Sequence, residues 1–399
     1  MQNMTNNSNL NIFPANRVLE IKEYYFSKKL KEVAELNAKG ADIISLGVGG
    51  PDRPPHENVI KTLCEDASRD DSHGYQSYTG LPELRTAFSK WYKNTYNVDL
   101  DPKQEIQPLI GSKEGILHVS LAFLNAGDGV LVPNPGYPTY SSVSKLVEAK
   151  IYTYDLTEES NWEPDFDQLE KLPLEKIKLM WVNYPHMPTG KRASIELFQK
   201  IIDFGKKHNI IIVNDNPYSF ILNDKPLSML SIPGAKEIAI EMNSLSKSHN
   251  MPGWRIGMLA SNPQFIEWIL KVKSNIDSGQ FRPMMKAAAK ALDCDSSWYA
   301  EVNATYAKRR KIAEKIMLAL GCTFDPNQSG LFMWGKIPNE IKDSEWLADD
   351  LLYYAHVFLT PGFIFGSNGN RYIRISLCAK DEKMEEALKR ITNRQTNKK

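Results

Sequence analysis

Between residues 43 and 260 the chain alternates short, unbroken apolar runs with longer stretches of helical periodicity. The apolar runs fall at 43–45, 105–110, 129–132, 150–154, 177–183, 210–214, 237–242 and 256–260. Helical spacing falls near 18–39, 56–67, 82–94, 114–126, 192–208 and 262–275. A run that is apolar at every position has both faces covered, and helices packed on both sides of a sheet supply that cover. The expected fold class is therefore α/β, with a mostly parallel central sheet flanked by helices. After about residue 280 the pattern changes. Helices are expected near 283–293, 297–320, 344–355 and 381–394, with strands at 330–336 and 371–377. This predicts a large domain over 46–280 and a smaller α+β domain over 281–399.

Composition narrows the function. The chain has 399 residues, enough for two or three domains with their own cores. Its 49 basic and 48 acidic residues leave a net charge of +1, which predicts neither a nucleic-acid nor an anionic-membrane partner. Cys64, Cys294, Cys322 and Cys378 are scattered, so neither a disulfide framework nor a bound metal is expected. The start, MQNMTNNSNLNIF, lacks the basic-then-apolar order of a secretory leader, and no run reaches the ~20 apolar residues of a membrane span. The expected location is the cytoplasm.

Three segments carry chemistry. In Asn243-Ser-Leu-Ser-Lys-Ser-His-Asn-Met-Pro-Gly-Trp-Arg-Ile-Gly257, Lys247 lies just past a strand end, where open α/β sheets bind ligands. Ser244 and Ser246 precede it and Arg255 follows. A phosphorylated aldehyde needs this set, because an amine condenses with the aldehyde while hydroxyls and a guanidinium hold the phosphate. In the second segment an apolar strand ends in Asp215, with Tyr218 three residues on. A carboxylate beneath a pyridine nitrogen keeps it protonated, and a phenol can donate to a ring oxygen. The third is Gly111-Ser112-Lys113-Glu114-Gly115, a turn into a helix that offers free N–H groups and a positive dipole end to a phosphate. Taken singly, each has an ordinary reading: a solvated lysine, an Asp-Asn-Pro turn, one helix start among many.

In this order the three segments resemble the class I/II aminotransferases of pyridoxal-phosphate fold type I, over nearly the whole chain. GSKEG and the frame of Asn183-Tyr-Pro-His-Met-Pro-Thr-Gly190 are similar to the branch that includes LL-diaminopimelate aminotransferase. The resemblance implies pyridoxal 5′-phosphate as cofactor, with Lys247, Asp215 and Tyr218 catalytic. Gly111, Ser112, Lys113, Tyr137, Asn183, Ser244, Ser246 and Arg255 are implied to bind the cofactor. Tyr75 is implied to reach the phosphate of a neighbouring subunit, which makes the expected assembly a homodimer with shared sites. Gly49 and Arg374 are implied to hold the carboxylate of the amino acid or 2-oxo acid substrate in a ping-pong cycle. The N-terminal segment 1–45 is implied to join the small domain.

The sequence departs from the family at Met187, where an asparagine usually precedes Pro-Thr-Gly and donates to the cofactor's phenolic oxygen. A thioether cannot donate, so Tyr218 is expected to carry that contact alone, or His186 to replace it. Two other readings stay open: a lyase of the same fold, and a protein that keeps the cofactor without turnover. Arg17, Tyr24, Lys113 and Arg282 are candidates for a side-chain pocket.

Overall fold

Branched and long apolar side chains pack well on a pleated surface, and most of the runs that carry them converge on a single sheet. The structure is a computed structural model and describes residues 12–21 and 25–396. In chain order its strands are β1 Ile44–Ser45, β2 Ile106–Leu109, β3 Gly129–Asn134, β4 Lys150–Asp155, β5 Ile177–Val182 and β6 Ile211–Asp215. They continue with β7 Ala239–Ser244, β8 Gly257–Ala260, β9 Phe332–Lys336, β10 Val357–Phe358, β11 Thr360–Pro361 and β12 Tyr372–Ser376. Seven of them form the main sheet, in the order β2-β8-β7-β6-β5-β3-β4. Every neighbouring pair is parallel except the two that β8 makes, with β7 and with β2.

Side chains alternate across this sheet with the two-residue period of a strand. Leu131, Met180 and Ile212 point to a core shared with helices Pro82–Tyr96 and Ile195–His208. Their neighbours Val130, Trp181 and Val213 point to a second core under helices Ser112–Phe123, Pro138–Leu146 and Pro263–Lys273. Each fully buried side chain of this kind contributes about 1.5–3 kcal/mol. Strands β3, β7 and β8 are buried along their length. Edge strand β4 buries only Tyr154, because an edge is covered on fewer sides.

Two expected elements shift. The run at 237–242 opens with a 3₁₀ turn, Ala235–Glu237, so β7 starts later and reaches Ser244. The helical stretch near 18–39 contains two helices, Asn16–Leu19 and Tyr25–Ala38.

Strands β11, β12 and β9 form a separate antiparallel sheet in that order. β1 pairs with β10, setting Ile44 opposite Val357. A third core joins Phe26, Val33 and Leu46 to Trp334, Leu351 and Ile373. Helix Arg282–Leu292, in contrast, lays Met285, Ala288 and Leu292 on the first core of the main sheet. We propose that the division between large and small parts falls after this helix, near residue 293, rather than at 280. No helix of the described residues is long and apolar enough to cross a membrane.

Candidate active site

The parallel strands end along one edge, and a cavity of about 570 Å³ opens there. β6 ends at Asp215 and β7 at Ser244, while Tyr137 follows β3 and Asn183 follows β5; all four line the cavity. β8 runs the other way, so its first residue lies at this edge, with Gly257 opposite Ser244. Arg255 therefore arrives beside the serines, with a left-handed φ of 57°.

One end of the cavity suits an anion. The Ser244 side chain accepts from Ser246 N–H at 3.2 Å, and its hydroxyl lies 3.0 Å from Ser246 Oγ. Gly111, at φ 74°, precedes helix Ser112–Phe123, and a Cβ there would stand 2.3 Å from Arg255 Nη2. Only a glycine lets the guanidinium lie against the helix start. Two hydroxyls, one guanidinium and a helix N-terminus together match a phosphate dianion. Ser112 and Lys113 also line this end.

Next to it lie the groups that can act on a ring and an amine. Asp215 Oδ2 accepts from Tyr140 Oη at 2.9 Å, while Oδ1 is buried without a hydrogen-bond partner among the described residues. Burial pushes this carboxyl up to about 6, against the pull of the Tyr140 hydrogen bond. A buried acceptor of this kind costs stability until a donor reaches it, so the carboxylate fits a protonated ring nitrogen. Lys247 lies on the short helix Leu245–Ser248 and donates to Gly49 O. Burial holds its amine below the usual lysine range, as do the nearby guanidiniums of Arg374 and Arg255. Tyr218 packs edge-on against Phe332 with ring centroids 5.9 Å apart, and burial raises its phenol strongly.

The opposite end suits a carboxylate. Arg374 lies on β12, opposite Trp334 of β9, and is 4% exposed. Its guanidinium carbon is 3.8 Å from the Phe332 ring centroid, 4.6 Å from Phe365 and 5.6 Å from Phe26. Nη2 donates to Gly47 O at 2.9 Å and Nη1 lies 3.2 Å from Met187 Sδ. Gly49 passes so close to Phe332 that a Cβ would stand 2.2 Å from the ring.

The fold thus brings most of the expected residues to one cavity. Tyr75 stands apart, 93% exposed and away from the cavity of its own chain. His186 corrects the expectation that it replaces the missing donor: its Nδ1 bonds Thr189 Oγ1 at 2.8 Å, and it lies outside the cavity lining. Burial drives its imidazole down to about 3, so it is neutral. Asn183 is committed to the backbone, accepting from Met187 N at 2.8 Å and donating to Asp215 O. Arg282 pairs with Asp66 and Asp71, Arg17 is exposed, and Tyr24 lies outside the described residues. Sequence reasoning missed Tyr140, Phe332, Phe365 and Phe26. Tyr140 had a signal, three residues after Tyr137 at the start of one helix.

The comparisons agree with this geometry. The pattern for aminotransferase class I and II matches residues 41–391. The LL-diaminopimelate aminotransferase of Oleidesulfovibrio alaskensis is 41% identical, over 95% of this chain and 98% of that protein. The protein of the same name from Aquifex aeolicus is 38% identical, over 95% and 98%. Among solved structures, apo-BacF from Bacillus subtilis superposes with a TM-score of 0.92 at 35% identity, covering 96% of this chain and 98% of that one. An aminotransferase from Staphylococcus aureus superposes at 0.87 with 29% identity, covering 95% and 98%. The chain belongs to the class I and II aminotransferases.

Proposed function

We propose that pyridoxal 5′-phosphate occupies the cavity and that the enzyme uses it to exchange amino groups between an amino acid and a 2-oxo acid. The observation that carries this reading is the buried, partnerless Oδ1 of Asp215 in the same cavity as the Lys247 amine and the Arg374 guanidinium. When bound, the cofactor supplies an aldehyde carbon that takes up the amino group and a ring that withdraws electrons. Ser244, Ser246, Arg255 and the start of helix Ser112–Phe123 would hold its phosphate. Tyr137 would pack on its ring, Asp215 would accept from the ring nitrogen, and Tyr218 would donate to the phenolic oxygen.

Lys247 is the covalent attachment point. With the cofactor bound, its amine would be placed to take the proton from the substrate Cα, and burial, which lowers its pKa, favours the unprotonated form that a base needs. Arg374 grips the substrate carboxylate, and the Gly49 backbone closes over it. Two half-reactions on one site give ping-pong kinetics. Tyr75 projects from the chain and reaches the phosphate held by a second copy, so the working unit is a homodimer. The similarity to LL-diaminopimelate aminotransferases makes LL-diaminopimelate the first amino donor to try, with glutamate and 2-oxoglutarate as the second pair.

A visible absorption spectrum of the purified, cofactor-loaded protein tests this. A cofactor band that Lys247→Ala abolishes, and that one amino donor converts, supports both the cofactor and the transfer. No band after reconstitution rejects the reading.

A further inference from the structure

Gly49 and Arg374 come from opposite ends of the chain, and the gap between them fixes where a carboxylate can sit. Ser376, through its backbone N–H and its hydroxyl, holds the approach to Gly49 against β12. Ser376 N–H donates to Leu46 O at 2.7 Å, and Ser376 Oγ donates to Val48 O at 2.7 Å. Past Gly49 a side chain takes over the tether. Arg309, on helix Ser296–Ala319, is 4% exposed and lies outside the cavity lining. Its Nη1 and Nη2 donate to Asp52 Oδ1 and Oδ2 at 2.7 and 2.8 Å. Its Nε donates to Asp381 Oδ1 at 2.9 Å, and Nη1 also reaches Leu377 O at 3.2 Å. One guanidinium therefore binds the loop three residues past Gly49 and the backbone three residues past Arg374.

We propose that Arg309 is a positioning residue for the substrate carboxylate: through Asp52 and Leu377 it sets the distance between Gly49 and Arg374. This rests on the reading of those two residues as the carboxylate receptor. A planar fork is needed because both Asp52 oxygens are engaged side by side, which a lysine's point charge cannot reproduce. Without the guanidinium, Asp381 keeps the Lys308 amine at 2.7 Å, but Asp52 loses both of the donors that engage its oxygens. The loop then moves away to restore hydration, and Gly49 moves with it. Arg309 touches neither β6 nor the helix Leu245–Ser248, so Asp215 and the Lys247 backbone keep their places, and only the contact of the Lys247 amine with Gly49 O is lost.

The test follows the glutamate half-reaction of cofactor-loaded protein by absorbance in Arg309→Met, Arg309→Lys and Asp52→Asn, with Arg374→Ala alongside. We expect the dissociation constant for glutamate to rise about tenfold in both Arg309 variants and about threefold in Asp52→Asn, since small displacements of a binding group are costly. The rate at saturating glutamate stays within about threefold, and the cofactor band is unchanged. If Arg309→Met does not fold, the isosteric Asp52→Asn carries the test. A saturated rate or cofactor band that falls while the glutamate constant holds still overturns the proposal in favour of a structural role. If Arg374→Ala raises the constant and the Arg309 and Asp52 variants do not, the positioning role alone fails. If Arg374→Ala leaves it unchanged, the carboxylate reading fails, and this inference with it.

Discussion

At the end of the cavity proposed for the phosphate, every polar group lies within a few residues of a strand end or a helix start. At the carboxylate end, Arg374 sits mid-strand inside a cage of Phe26, Phe332 and Phe365, drawn from three distant parts of the chain. The first end is held by backbone ladders that survive the loss of a side chain. The second is held by side-chain packing, where each ring both shapes the pocket and stabilises the fold. Substitutions at the sheet edge should therefore change chemistry more than stability, and substitutions in the cage should change affinity and stability together.

The largest effect should come from Lys247→Ala. Removing both the attachment point and the Cα base should lower the transfer rate by about 10⁴-fold or more. Chemical denaturation of the cofactor-free protein should show no loss of stability, because the amine is buried below its ordinary pKa. A marked loss of stability would break the contrast between the two ends.

Asp215→Asn should cost about 10²–10³-fold in rate, since an amide cannot hold a charged ring nitrogen. This residue also gives a pH signature in the cofactor-free protein. Its pKa of about 6 lies above the ordinary 3.8, so the fold binds this proton more tightly than the unfolded chain does. The resulting stabilisation is whole below about pH 4 and is lost as the pH rises through about 6. A shift of this size corresponds to something on the order of 3 kcal/mol. Denaturation of parent and Asp215→Asn from pH 4 to pH 7 should show the difference moving in the variant's favour by that order. A constant difference would mean that Asp215 finds a partner in solution.

In the cage, Phe332→Ala should raise KM for the amino donor about tenfold, with a smaller change in kcat, by freeing Arg374 and removing the ring beneath Gly49. It should also cost about 3 kcal/mol of stability, readable by denaturant titration. A change in kcat alone would place the ring's role with the chemistry instead.

The smallest effect concerns Met187, whose Sδ lies 3.2 Å from Arg374 Nη1. With His186 turned away toward Thr189, Tyr218 is the donor proposed for the cofactor's phenolic oxygen. Met187→Asn adds a second donor and should lower the pH at which the visible band of the loaded enzyme titrates, by about one unit or less. An unchanged titration would show that the asparagine side chain does not reach the ring.

The sequence by itself determined the strand-and-helix alternation, the sheet edge, and the groups presented there. Lys247, Asp215, Arg255 and Gly111 were legible because each is set by a local event: a strand stops, a helix starts, or a glycine turns the chain. Such events are decided by hydrogen bonds and sterics within about ten residues. Tyr140 was legible only in part, because helical spacing from Tyr137 gives its face but not the carboxylate it meets. The tertiary structure alone decided that Phe332 lies under Gly49, that His186 turns away from the cavity, and that helix Arg282–Leu292 packs on the main sheet. It also decided that Arg309 ties Asp52 to Leu377. These contacts join residues tens to hundreds of positions apart or depend on which neighbour a buried side chain meets. Packing selects them, and no local period in the sequence records that choice.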